Sequence, residues 1–549
     1  MKIDPKFLWL LLIASLVAPS FAQQPSNAPS ATQYRQEGIR ELQNREPQKA
    51  LDHFRAAVRM DPRDAESQFF IGAILCDSGQ PEAAVPELLK AIELNRKLHL
   101  SHYYLALAFD RTGRTAEAII AYQEALRLKP EFHDARYALS AACWKHGDLD
   151  GAIRLLREVI EVKPDFAEAR FNLALALKQK GHLDEAIKEL QIVSRSQPAQ
   201  ARVYLALGQA LAEKHRLAEA AETLQRAAEL APGDPEYRYN LGIALKQKDD
   251  FVAAEKEFRE ALKLNPGYML ARRALGLVLR QKGELQAAAE ELRAVVAARP
   301  DDAEARHNLG TILLKLNDPD SAIIELSLAV RLDPRLSEAR INLAQALRKA
   351  GRAEDARREM EASERIMTQK AKAGRALVLT ETAAQRVKTG DLKTAIADLR
   401  EAVSLDPESL EAHFLLASTL WQSSADPTEI TKSLRQVLEL NPRRAPAHYQ
   451  LGLVFESQGK RAEAMAEYRI ATELAPSFIE ARRALGKAAM QIKDWETAAT
   501  QFRGVIAWAP NDAAAHHQLS LALRTLGQFD EADNELRAAQ KLNPTLKSP

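Results

Sequence analysis

The chain has 549 residues, with 76 Lys and Arg against 75 Asp and Glu, 46% hydrophobic residues, 28% charged residues and only 6% aromatic ones. A net charge of +1 gives no support for general binding to nucleic acid or to a membrane surface. Abundant apolar and charged residues with few aromatics suit many amphipathic helices.

The first 22 residues read as a secretory signal. Lys2 and Lys6 supply a positive start, Phe7 to Val17 an apolar core, and Ser20-Phe21-Ala22 a small-x-small cleavage site before Gln23. The core is too short to span a bilayer, and no cysteine follows it to carry a lipid anchor. Its removal takes two of the 76 basic and one of the 75 acidic residues, leaving 74 of each. Residues 23–30 form a Pro/Ser/Gln/Asn linker without periodicity. The expectation is an exported protein, periplasmic or secreted, with no integral membrane segment once the signal is removed.

From residue 31 onward one pattern recurs. In 235–266, Leu241, Gly242 and Leu245 place an apolar stripe on a first helix, and Ala254, Phe258, Ala261 and Leu262 place one on a second. Gly242 and Ala254 are small where two helices approach, Phe258 fills the space beside them, and Pro266 ends the second helix. The helix-ending proline returns every 34 residues from Pro130 through Pro164, Pro198, Pro232, Pro266 and Pro300 to Pro334, and again from Pro407 and Pro442 to Pro544. The first unit, 31–64, is atypical, with Glu37 and Glu41 where its successors carry apolar residues. The interval from Pro334 to Pro407 is 73 residues, five more than two periods. Residues 31–370 therefore form ten units, 371–375 an insertion or discontinuity, 376–546 five further units and 547–549 a tail.

This 34-residue pattern resembles the tetratricopeptide repeat, with Leu-Gly or Leu-Ala in the first helix and Ala, a bulky residue, Ala and Pro in the second. The resemblance covers nearly the whole chain and implies an all-α fold, a solenoid of helical hairpins wound as a right-handed superhelix. It also implies that the first helices line a concave groove. Function is left open by the fold, since one such scaffold carries many unrelated partners.

No stretch remains for a catalytic domain, so an enzyme is not expected. His99 with His102 and His516 with His517 lack the further ligand spacing of a metal site. The glycines stand singly, not as a phosphate loop, and no cofactor is expected. Cys76 and Cys143 fall in the first helices of the second and fourth units. Packed helices lie roughly 8–10 Å apart and a disulfide needs α-carbons within about 7 Å, so both are read as unpaired small hydrophobes.

Candidate ligand residues are read down the groove positions that the resemblance implies. An aromatic series includes Tyr103, Tyr137, Phe171 and Tyr239, which either faces the groove or packs between first helices. An amide series holds Asn172, Asn240, Asn308 and Asn342, and a basic series holds Lys178, Lys246, Arg280 and Arg348. The amides resemble the asparagine ladder of the O-linked N-acetylglucosamine transferase, a likeness confined to the repeats. They can both donate to and accept from the backbone of an extended peptide. The carboxylate clamp of chaperone-binding relatives is absent, its ninth positions being residues such as Ala73, Leu107 and Ala141. The reading is a non-enzymatic interaction scaffold for peptide segments or partner proteins. Its alternative is a structural periplasmic component of an export, exopolysaccharide-secretion or envelope-assembly machine.

Overall fold

Each second helix stops for a local reason, visible at Pro266. A proline disfavours helical backbone in the residue before it, and Asn265 is accordingly extended, at φ −141° and ψ 95°, closing the helix Phe251–Leu264. At the other end Asp250 caps that helix, its Oδ1 accepting from the Ala253 amide at 3.1 Å. The chain turns between the paired helices through one left-handed residue. Most such turns use glycine, but Asp249 adopts φ 61°, a conformation that short polar side chains tolerate.

The computed structural model describes residues 30–546, so the expected leader, nearly all of the linker and the 547–549 tail lie outside the described residues. Within them are 29 α-helices, from Ala31–Gln43 to Phe529–Leu542, and no strand. Successive short helices form hairpins, and hydrophobic residues buried between them make the core. Gly242 shows the packing constraint: a β-carbon there would stand 2.6 Å from Phe258 Cε1. Phe258 and Ala254 are fully buried. The same pairing, 16 residues apart, recurs at Gly38 with Phe54, Gly276 with Leu292 and Gly486 with Phe502.

Residues 371–375 lie inside one helix, Ala353–Lys388, which takes the place of two. Its sequence offers no proline and no left-handed turn where a hairpin would reverse. Between Ser363 and Ala376 none of its residues is buried, and Met367, Leu377 and Val378 are exposed. Gly374 sits in the exposed part with open space around the position of a β-carbon.

The chain forms two compact units, Met1–Pro164 with Arg443–Pro549, and Asp165–Pro442. In the first, two distant stretches meet through buried polar contacts. Asp148 Oδ1 accepts from Gly151 N at 2.9 Å as a helix cap, while its Oδ2 accepts from Ser477 N at 3.0 Å. His146 Nε2 lies 2.8 Å from the Glu473 carbonyl. Arg154 donates to the Ser477 carbonyl at 3.2 Å and lies over the Trp508 ring at 4.9 Å. A β-carbon on Gly151 would come within 2.9 Å of Ser477 Cβ, so a small residue is needed there. Cys76 and Cys143 are buried, unpaired thiols in this unit.

Two stability outcomes follow from packing. Ala254→Leu adds methylenes at a filled contact and should cost roughly 1–3 kcal/mol. Hydrogen exchange should show the loss centred on 235–298, since each repeat packs on its neighbours; unchanged protection there would mean that Ala254 is not a tight contact. Gly374→Ala removes a flexible residue from an exposed helix interior and should raise helix stability by about 1 kcal/mol, read as slower exchange in 366–380. Faster exchange would contradict a continuous helix.

Candidate peptide-binding face

In the Asp165–Pro442 unit the first helices set out amide and basic side chains at matching places. Asn172 and Lys178 lie on Ala167–Gln179, Tyr239, Asn240 and Lys246 on Pro235–Gln247, and Arg280 on Met269–Lys282. Asn308 lies on Ala303–Lys315, and Asn342 and Arg348 on Ser337–Lys349. The asparagines are partly exposed because each precedes a leucine, Leu173, Leu241, Leu309 or Leu343, that turns into the core. All four asparagines and all four cations thus belong to one unit, whereas Tyr103 and Tyr137 belong to the other.

The amides are drawn into links between repeats. Lys178 Nζ donates to Gln209 Oε1 at 3.1 Å and pairs with Glu213 at 3.0 Å. Gln209 Nε2 in turn donates to Asn240 Oδ1 at 3.0 Å, and Asn240 Nδ2 donates to the Glu236 carbonyl at 2.8 Å. Arg280 donates to Asn308 Oδ1 at 3.0 Å, whose Nδ2 donates to the Glu304 carbonyl at 2.8 Å. Asn342 Nδ2 lies 2.8 Å from Thr311 Oγ1 and 3.1 Å from His307 Nε2. Burial lowers the pKa of the His307 imidazole, which favours the neutral ring that can accept. A primary amide offers two donor hydrogens and two acceptor lone pairs, so Asn240 and Asn308 each keep one of both for a ligand.

The basic residues differ in what answers them. Lys178 has Glu213, while Lys246 and Arg280 have no ion pair among the described residues, and Arg348 is exposed. Burial, followed by the nearby Arg273 and Arg280 charges, lowers the Lys246 pKa. Burial lowers that of Arg280 as well. Arg273 is itself balanced by Asp302 at 3.5 Å and Glu304 at 2.9 Å.

The aromatic series makes packing contacts. Phe171 is buried beneath the Arg202 guanidinium at 4.9 Å. Tyr239 lies 6.0 Å from Phe258 and 5.2 Å from Tyr268, ring to ring. Tyr103 stands among Tyr104, Tyr122 and Phe132, at 5.6, 5.9 and 4.9 Å. Tyr137 is partly exposed on His133–His146. Tyr103 and Tyr239 are partly exposed, so each has some surface left for a ligand.

The sequence reading missed a second repeated device. A first-helix Arg or His pairs with Glu 19 residues later, as in Arg238 with Glu257 at 2.9 Å, Arg272 with Glu291 at 2.8 Å, Arg306 with Glu325 at 2.6 Å and His516 with Glu535 at 2.5 Å. Several of these bases also bond the carbonyl of the helix-ending proline six residues earlier, Arg306 to Pro300 at 2.7 Å among them. The fixed 19-residue spacing was its signal. Gln209 and Thr311 were missed as well, and theirs was a polar residue 31 positions before Asn240 and Asn342. Among the described residues no cluster of three or more His, Cys, Asp or Glu is placed to hold a metal ion, and no helix is long and apolar enough to cross a membrane.

Comparison with known proteins follows the repeat. One model described as tetratricopeptide repeat matches residues 35–98, 75–131, 103–167, 239–303, 385–442, 431–478 and 449–516. Others of the same description match 144–210 and 279–335, and 201–234 and 513–546. The chain is 27% identical over 122 residues to Superkiller complex protein 3 of Mus musculus, covering 22% of this chain and 8% of that protein. It is similar to MamA from residue 41 onward, of Desulfovibrio magneticus RS-1, at 28% identity with a TM-score of 0.29, covering 30% of this chain and 94% of the other. It is also similar to YrrB, a TPR protein with an unusual peptide-binding site, at 22% identity with a TM-score of 0.28, covering 40% and 96%. Since one repeat model alone matches more than half of the residues, the chain belongs to the tetratricopeptide-repeat family.

Proposed function

We propose that this protein is an exported, non-enzymatic interaction scaffold whose first helices in 167–349 hold an extended acidic segment of a partner protein. The observation that carries this reading is the pair Lys246 and Arg280: two partly covered cations without a carboxylate partner, on successive equivalent helices that also carry the half-used amides. A peptide carboxylate would supply the missing charge, while Asn240 and Asn308 would bond its backbone whatever its side chains. Each such amide contact contributes about 0.5–1.5 kcal/mol, so recognition would be spread along the face. Export rests on the leader-like 1–22 segment. The second reading, a component of an export or envelope-assembly machine, would use the same face within a larger assembly.

The test is the double variant Lys246→Glu, Arg280→Glu, checked first for parental helicity by circular dichroism. Because neither side chain has an ion pair to lose, the fold should persist. Capture of partners from envelope extract, read by mass spectrometry, should fall about tenfold or more, as expected when like charges replace a complementary contact. Capture by the parent should weaken as salt is raised. Undiminished capture by the double variant would refute this reading of the face.

A further inference from the structure

Arg482 departs from the repeat's own charge rule. Its place is that of Arg238, Arg272 and Arg306, and like Arg306 it bonds the proline six residues earlier, Nε to the Pro476 carbonyl at 2.6 Å. The residue 19 positions later is not glutamate but Gln501, whose Oε1 accepts from Arg482 NH1 at 3.2 Å. The guanidinium is therefore held in place without being neutralised. Only 8% of the residue is exposed, and no carboxylate lies within ion-pair distance. Burial pushes its pKa down to about 10, a shift that the Asp148 charge opposes. A desolvated cation without a counter-charge is costly to keep.

Arg482 also lines a cleft of about 960 Å³ within the unit formed by 1–164 and 443–549, a volume within the usual range for small-molecule sites. Leu89, Leu105, Phe109 and Ile120 make an apolar wall, and Leu89 and Ile120 are 48% and 63% exposed. Gly504 lines the cleft beside the guanidinium, and a β-carbon there would stand 2.5 Å from Arg482 NH1. The glycine thus leaves room for the charged group. The cleft's other buried or paired charges are accounted for: Glu117 meets Arg114, Glu124 meets Arg127 at 2.7 Å and Arg503 meets Glu531 at 3.0 Å. Glu473, Glu496 and Arg469 are exposed. Arg482 is left as the buried charge without an answer. Of its five N–H groups two have protein acceptors, and Gln123, also in the lining, has its Nε2 buried without a partner.

We propose that this cleft binds a small amphipathic carboxylate, its alkyl chain against Leu89, Leu105, Phe109 and Ile120 and its carboxylate on Arg482. One monoanion balances one guanidinium, whereas a phosphate dianion would leave an excess negative charge in the same buried place. The ligand would touch both stretches of the unit and so hold them together. This site is separate from the amide-lined face and stands without it.

The experiment is calorimetric titration of the purified protein with dodecanoate, below its micelle concentration, against 1-dodecanol as the uncharged counterpart. The parent should bind one dodecanoate per chain at least tenfold more tightly than dodecanol. Arg482→Gln, with helicity verified, should remove that preference and leave the two ligands equal. Should that variant misfold, Ile120→Asp changes an exposed wall residue and should weaken both ligands about tenfold in a folded protein. Absence of saturable dodecanoate binding, equal parental affinity for the two ligands, or full affinity in Ile120→Asp would overturn the assignment.

Discussion

Everything in this molecule depends on how closely two short helices approach at one point. The residue after the recurring leucine of the first helix must be small because the bulky residue 16 positions later occupies its side-chain space, as Phe258 does beside Gly242. That contact fixes the hairpin, yet each hairpin leaves apolar surface on both sides. The surface is buried only when further hairpins stack. The 34-residue period is thus a packing requirement, and the pairing of Arg or His with Glu 19 residues later adds an electrostatic tie within the same unit.

Helix ends were legible because proline acts locally: Pro266 dictates the extended Asn265 whatever surrounds it. The long helix was legible only in part. Lack of a proline after Ala356 signalled continuation as far as Ala373, but the structure continues to Lys388. Gly374, the residue that could have suggested a stop, lies in an exposed stretch where helical backbone meets no obstacle. The contact of Asp148 with Ser477 could not be read at all. It joins residues 329 positions apart, and Gly151, which makes room for it, resembles any other unremarkable helix residue in the sequence. The amide series was readable as an exposed pattern, but its occupation by Gln209 and Arg280 depends on how neighbouring repeats register.

The two candidate sites share one physical cause. A repeat protein with balanced charges can satisfy its cations internally, and most of the first-helix bases here are satisfied. Where the repeat fails to provide a carboxylate, at Lys246 and Arg280 in one unit and at Arg482 in the other, a partly or fully covered positive charge remains. Such places differ from the solvated Glu and Lys pairs of the outer helix faces, whose net worth is small. The chemistry of recognition therefore lies in departures from the repeat rule, while the rule itself explains the scaffold.

The central functional claim, that a partner lies along the first helices of 167–349, is tested most directly by hydrogen exchange of the protein with and without its captured partner. Added protection should concentrate on Pro235–Gln247, Met269–Lys282 and Ala303–Lys315. Protection confined instead to the intervening second helices, Phe251–Leu264 and Leu285–Ala298, would place the partner on the opposite helices and contradict the account.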